Sequence, residues 1–217
     1  HRDPIYLHAL RYAGLPTAWD WRDADGHNYV PPVRTQGGCG SCYAIAAVAM
    51  LESRTAIASG GHDRPSLSVQ HVLSCSAYSQ GCLGGFPYLV GKYLTDVGVA
   101  SEACYPSAGH SSDEGGVSAP PSCTEACAAP SRTYRASDYR YVGGYYGGCS
   151  ESQMMHEIHR HGPIVAGVQA SPTLYTHVGG IFSSPQSPVV QQQQRWQRRP
   201  ETERLPTPNR EDDRAWN

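Results

Sequence analysis

The sequence predicts an α+β fold, with helices gathered in the first half of the chain and extended segments in the second. Three observations carry this reading. An apolar run from Cys42 to about Ser59 has the length of a buried helix, two shorter helical runs follow it, and the segments 139–148 and 163–170 are strand-like. At 217 residues the chain can bury a core as one large domain or two small lobes.

Residues 1–14 show no clear period and read as a connector or the end of a pro-region. "LPTAWDWRDADG" follows, and then the glycine-rich loop "QGGCGSC", residues 36–42, leads into the first helix. Its first three turns are apolar almost all round, as in a buried helix. Glu52, Ser53 and Arg54 are expected to emerge into water, and Gly60 with Gly61 ends the helix. A second helix is expected after Ser68, with Val69, Val72 and Leu73 on one face, running to Cys75. A third opens near Pro87 and turns Val90, Leu94 and Val97 inward.

From Tyr105 to Arg135 the composition shifts to Ser, Gly, Pro and Ala, which predicts a long loop that cysteines could staple. Between the strand-like segments, "SESQMMHEIHRHGP" predicts a capped helix. Ser150 and Gln153 form a capping box, Met154, Met155 and Ile158 make its inner face, and Gly162–Pro163 ends it. From 183 to 217 a Gln run, mixed charges and few apolar residues predict a disordered low-complexity tail, too poor in burial to offset the entropy of ordering. The division expected is a connector over 1–14, a folded domain over 15–182 and that tail.

The formal net charge is −2, so no strong field points to nucleic acid or an anionic membrane. No run approaches the roughly 18 apolar residues of a membrane span. The chain opens on His1, and any targeting segment is expected to be missing from it. Eight cysteines without matched zinc spacing favour disulfides and an oxidising compartment, here lysosomal, vacuolar or secreted. No metal and no organic cofactor are expected.

Cys42 stands where a glycine-rich loop enters a helix. A thiolate, not a thiol, attacks carbonyl carbon, and unpaired N–H groups at a helix start favour negative charge. Cys39-Gly40-Ser41-Cys42-Tyr43 satisfies the pattern C-G-[SA]-C-[WY]. On that motif the chain resembles the papain family of cysteine proteases. "LPTAWDWR", "PVRTQGGCGSCY", "LSCSAYSQGCLGGFPYLVGKY" and "YRYVGGYYGGC" look closer to its cathepsin C, or dipeptidyl-peptidase, branch. The likeness covers roughly residues 15–182.

The resemblance implies a two-lobed fold, its helical lobe complete and its barrel-like β lobe truncated. It implies peptide-bond hydrolysis, with Cys42 as nucleophile and the Gln36 side-chain amide beside the Cys42 N–H in the oxyanion hole. Gly84 and Gly85 would pair with an extended peptide or protein substrate. Phe86, Tyr88 and Tyr141 stand where that branch holds a chloride ion. The disulfides implied are Cys39–Cys82, Cys75–Cys123 and Cys104–Cys127, with Cys149 unpaired; sequence alone leaves the connectivity open.

Thiolate catalysis of this kind also needs a histidine base oriented by an asparagine. His177 falls in the spacing window of roughly 130–150 residues after the cysteine. Its context, "LYTHVGGIF", resembles a segment upstream of the family's catalytic histidine, and no histidine follows Phe182. His156, His159 and His161 lack the H-E-x-x-H spacing of a zinc site and sit where cations complement a helix end. The chain is therefore expected to lack the base half, and to be a fragment or inactive alone. Two explanations fit: a truncated or mis-joined coding sequence, the simpler one, or separate exclusion-domain and light-chain segments as its partners. The alternative is a disulfide-rich pseudoprotease that binds peptides without cutting them.

Overall fold

The computed structural model describes residues 14–107, 123, 132–179 and 182. The chain divides into two compact units, His1–Val165 and Ala166–Asn217. The connector, most of the long loop and the tail lie outside the described residues.

In the first unit the core is built on helix α1, Cys42–Ala58. Tyr43, Ala44, Ala47, Val48 and Leu51 are buried on it. Small alanines let neighbouring elements approach closely, and α1 meets α2, Val69–Cys75, and α3, Pro87–Asp96. Val72, Leu73, Val90, Tyr93 and Leu94 complete the cluster with Leu67 and Val99. Gly60 and Gly61 end α1 at φ +61° and +87°, which a side chain disfavours, and their N–H groups bond back to Ile57 and Ala56 carbonyls. Ser68 caps α2 by accepting the His71 N–H, and its own hydroxyl donates to the Tyr105 carbonyl.

Two of the expected faces are corrected. Glu52 and Ser53 do not emerge into water. They are 3% and 1% exposed, because Glu52 is neutralised by Arg34 and Ser53 donates its hydroxyl to the Ala49 carbonyl at 2.9 Å. Arg54 is half-buried, bonded to the Pro163 carbonyl and Glu157. Val97 does not turn inward: it is the C-cap of α3, past the last helical residue, and is exposed, while Tyr93 takes the buried place.

Helix α4, Glu151–His161, carries the expected capping box of Ser150 and Gln153. Its inner face is only half-buried, and Met155 is exposed. It is held instead by polar contacts. Trp21 Nε1 donates to the Ile158 carbonyl at 2.7 Å, and Arg54 pairs with Glu157 at 3.0 Å. At its end Gly162 has φ +106°, and a Cβ there would come 2.7 Å from Ile57 Cδ1.

The strand expectations are also corrected. Among the described residues the pairing is limited to three isolated antiparallel bridges, Ala24–His27, Leu67–Ser101 and Val99–Tyr134. Residues 139–148 form successive turns, with Gly144 N–H bonded to Tyr141 and Gly148 N–H to Tyr145 carbonyls. Gly143, Gly144 and Gly147 take positive φ there, which bends the backbone out of the pleat. Residues 163–170 find no partner strand among the described residues, and an unpaired segment is no ladder.

Two of the implied disulfides are formed, Cys39–Cys82 and Cys75–Cys123. Cys104 is disulfide-bonded; its expected partner, Cys127, lies outside the described residues. The Cys39–Cys82 bridge spans 43 positions and ties the loop before α1 to the turn before α3. Replacing both cysteines by alanine is expected to lower stability by about 2–4 kcal/mol, read as a shift in urea midpoint at constant slope.

In the second unit Ser171 caps helix α5, Pro172–Tyr175, through the Leu174 N–H. His177 follows, its N–H bonded to the Leu174 carbonyl and its ring edge-on to Phe182 at 5.4 Å.

Candidate active site

Cys42 is the first residue of α1, exposed and unbridged, although it sits three positions from a cysteine that is bridged. The bridge to Cys82 consumes Cys39 and presses its loop onto the 81–84 turn. Gly40 N–H donates to the Cys82 carbonyl at 2.9 Å, and a Cβ on Gly40 would lie 2.6 Å from that oxygen. Only glycine permits this approach, and it aligns the start of α1.

Ser41 is the N-cap of α1, yet it makes no side-chain cap. Its hydroxyl turns back to the Cys39 carbonyl at 3.5 Å. Ser41 therefore offers the first-turn N–H groups, Cys42's among them, no side-chain acceptor. Gln36 is exposed, and its carbonyl accepts the Cys39 N–H at 3.4 Å.

Tyr43 joins Cys42 to the glycine segment. Its hydroxyl donates to the Gly81 carbonyl at 2.9 Å, and burial raises its phenol pKa. The ring lies directly beneath Gly85, where a Cβ would be 2.5 Å from Tyr43 Cε2. Gly84 has φ +118° and accepts the Gln80 N–H at 3.1 Å. The pair thus lies beside Cys42 through its chain neighbour. Gly85→Ala is expected to displace a ring held at both ends and to cost about 1–3 kcal/mol, measured by chemical denaturation.

Gly91 of α3 lets Tyr139 sit against the helix, at 2.8 Å from where a Cβ would be. That contact brings Tyr141 onto Tyr88, with parallel rings 4.3 Å apart, while Tyr139 meets Tyr88 edge-on at 4.9 Å. Phe86, the N-cap of α3, is 65% exposed.

Sequence reasoning missed the anchor of the Gln36 loop. Arg34 Nη2 and the Leu67 N–H both donate to Glu52 Oε1 at 2.6 Å. Arg34 lies two residues before Gln36, and Glu52 is ten residues along the Cys42 helix. One carboxylate therefore fixes the loop to that helix. The available signal was a single acid inside an otherwise apolar run.

Among the described residues no group of three His, Cys, Asp or Glu is arranged to hold a metal, and no helix is long and apolar enough to cross a membrane.

The family model described as papain family cysteine protease matches residues 15–195. The chain is 39% identical over 171 residues to cathepsin C of Schistosoma mansoni, covering 77% of this chain and 36% of that protein. It is 30% identical over 225 residues to dipeptidyl aminopeptidase 1 of Plasmodium falciparum, covering 77% and 32%. A solved structure of procathepsin B S9 from Trypanosoma congolense superposes with a TM-score of 0.55 at 24% identity, over 71% of this chain and 51% of that one, a likeness of fold alone. The chain spans about a third of the length of the two curated relatives.

Proposed function

The chain belongs to the papain family of cysteine proteases, and on that premise we propose that it carries the nucleophile of a cathepsin C-like dipeptidyl peptidase. The observation that carries this is the exposed, unbridged sulfur of Cys42 at the uncapped start of α1. The Cys42 thiolate adds to the carbonyl carbon of the scissile bond, and the carbonyl electron pair moves to oxygen. The Gln36 amide and the Cys42 N–H donate to that oxyanion. Collapse breaks the C–N bond, and the leaving amine takes its proton from the histidine that had accepted the thiol proton. Water then hydrolyses the thioester, releases the acid and restores Cys42.

In this reading the histidine and its asparagine come from a light-chain segment, not from His177, and an exclusion domain restricts cleavage to dipeptides. The substrate backbone pairs with the Gly84–Gly85 edge. The Tyr88 and Tyr141 hydroxyls would hold a chloride ion. Their stacked faces leave only the hydroxyls to donate to an anion, and Phe86 would wall the site. The disulfides support an oxidising compartment in this reading, lysosomal, vacuolar or secreted.

A vinyl-sulfone probe applied to the full-length protein tests the assignment. Stoichiometric alkylation of Cys42, found by peptide mass mapping, is the expected result. Alkylation confined to Cys149 overturns it and leaves a peptide-binding domain without catalysis.

A further inference from the structure

Helix α4 carries the spacing i, i+3, i+4, i+7, i+8 that normally marks a core-facing stripe, but fills it with Gln153, His156, Glu157, Arg160 and His161. This polar stripe faces a cavity of about 270 Å³, closed on its other side by residues 140–144 with Arg140 among them. Two arginines and two imidazoles thus converge on one space, in a chain whose net charge is −2.

The single acid in the lining is already engaged. Glu157 accepts from Arg54 at 3.0 Å and contacts His161 at 3.1 Å and Arg140 at 3.7 Å. The hydrogen bonds from Arg54 and His161 outweigh the opposing effect of burial and hold its carboxyl below its ordinary pKa. Arg140 also reaches Asp138 at 3.3 Å. Arg160 has no acidic partner among the described residues. It lines the cavity together with Tyr141, Val142, Gly143 and Gly144.

We propose that this cavity binds a phosphate or sulfate monoester, with Arg160 and Arg140 donating to its oxyanion and the attached group lying against Tyr141 and Val142. Planar guanidinium groups match tetrahedral oxyanions by paired N–H donation, and a second cation across the cavity adds to the attraction. The helix end favours cations by itself, which accounts for basic residues in the last turn, and Glu157 draws Arg140 from a separate turn to the same cavity. Cys42 is not in the cavity's lining, although Tyr141 is shared with the chloride site proposed above.

The test is isothermal titration of the full chain with phenyl phosphate and, separately, phenyl sulfate. Saturable one-to-one binding of either ester is expected, and the tighter of the two identifies the natural headgroup. Arg160→Gln is expected to weaken binding about tenfold, the loss of one charge-assisted contact, and Arg140→Gln to do likewise. Lys92→Gln, which removes a cation from α3, should leave it unchanged. Arg160 is exposed, so its variant should keep the parent's thermal midpoint. The absence of saturable binding overturns the proposal, as does equal weakening by Lys92→Gln and Arg160→Gln.

Discussion

Cys42→Ser is expected to abolish peptide hydrolysis by the full-length protein, lowering kcat/KM by at least about 10³-fold while leaving its thermal midpoint unchanged. The thiol is exposed and packs against nothing essential, so the fold should not register the loss. A hydroxyl in the same place is too weak an acid for an imidazole-paired site to ionise, so the acyl-enzyme does not form. Cys149→Ser removes the other unbridged thiol and should keep full activity. Loss of activity in Cys149→Ser with retention in Cys42→Ser would move the nucleophile and undo the assignment.

Glu52→Ala should be the most damaging single change among the polar residues, at about 3 kcal/mol in denaturant unfolding. Its side chain is 2% exposed and accepts two hydrogen bonds on one oxygen. Truncation leaves the Leu67 N–H without its acceptor and Arg34 without its counter-charge. Glu52→Gln keeps an acceptor for Leu67 and should cost less, about 1–2 kcal/mol.

The pH dependence separates charge from hydrogen bonding. Burial raises the Glu52 carboxyl pKa, against the lowering effects of the Leu67 N–H and Arg34. The folded chain therefore holds this proton more tightly than the unfolded chain does. The contribution is complete below the unfolded value, near ~4.3, and is lost as pH rises through the folded value. Glu52→Gln should remove that fall from the stability profile. An unchanged profile in Glu52→Gln would show that the carboxyl does not titrate in this window. Because Arg34 lies in the Gln36 loop, Glu52→Ala should also loosen that loop and lower kcat in the full-length protein.

Local chemistry made the helices legible. The apolar run after Cys42, Ser68 before α2, Pro87 at the start of α3 and the Ser150–Gln153 box each satisfy backbone groups within a few residues. Their positions follow from short-range hydrogen bonding. The motif around Cys42 was legible for the same reason, since the candidate nucleophile, glycines and neighbouring cysteine are contiguous.

Long-range partners were not legible. Glu52 reads as the start of an exposed turn until Arg34 and Leu67 are seen to close on it. Tyrosines and glycines over 139–148 fit a strand pattern as well as a run of turns. Met155 fits a helical inner face, yet it is exposed.

By itself, then, the amino-acid order determined where the four longer helices begin and which sulfur stands at the head of the first. Tertiary structure alone decided which carboxylate anchors the Gln36 loop and how closely Tyr43 and the Cys82 carbonyl approach Gly85 and Gly40. The reason is physical. Capping and periodicity act over three or four residues, whereas burial and electrostatic pairing depend on what arrives from tens of residues away.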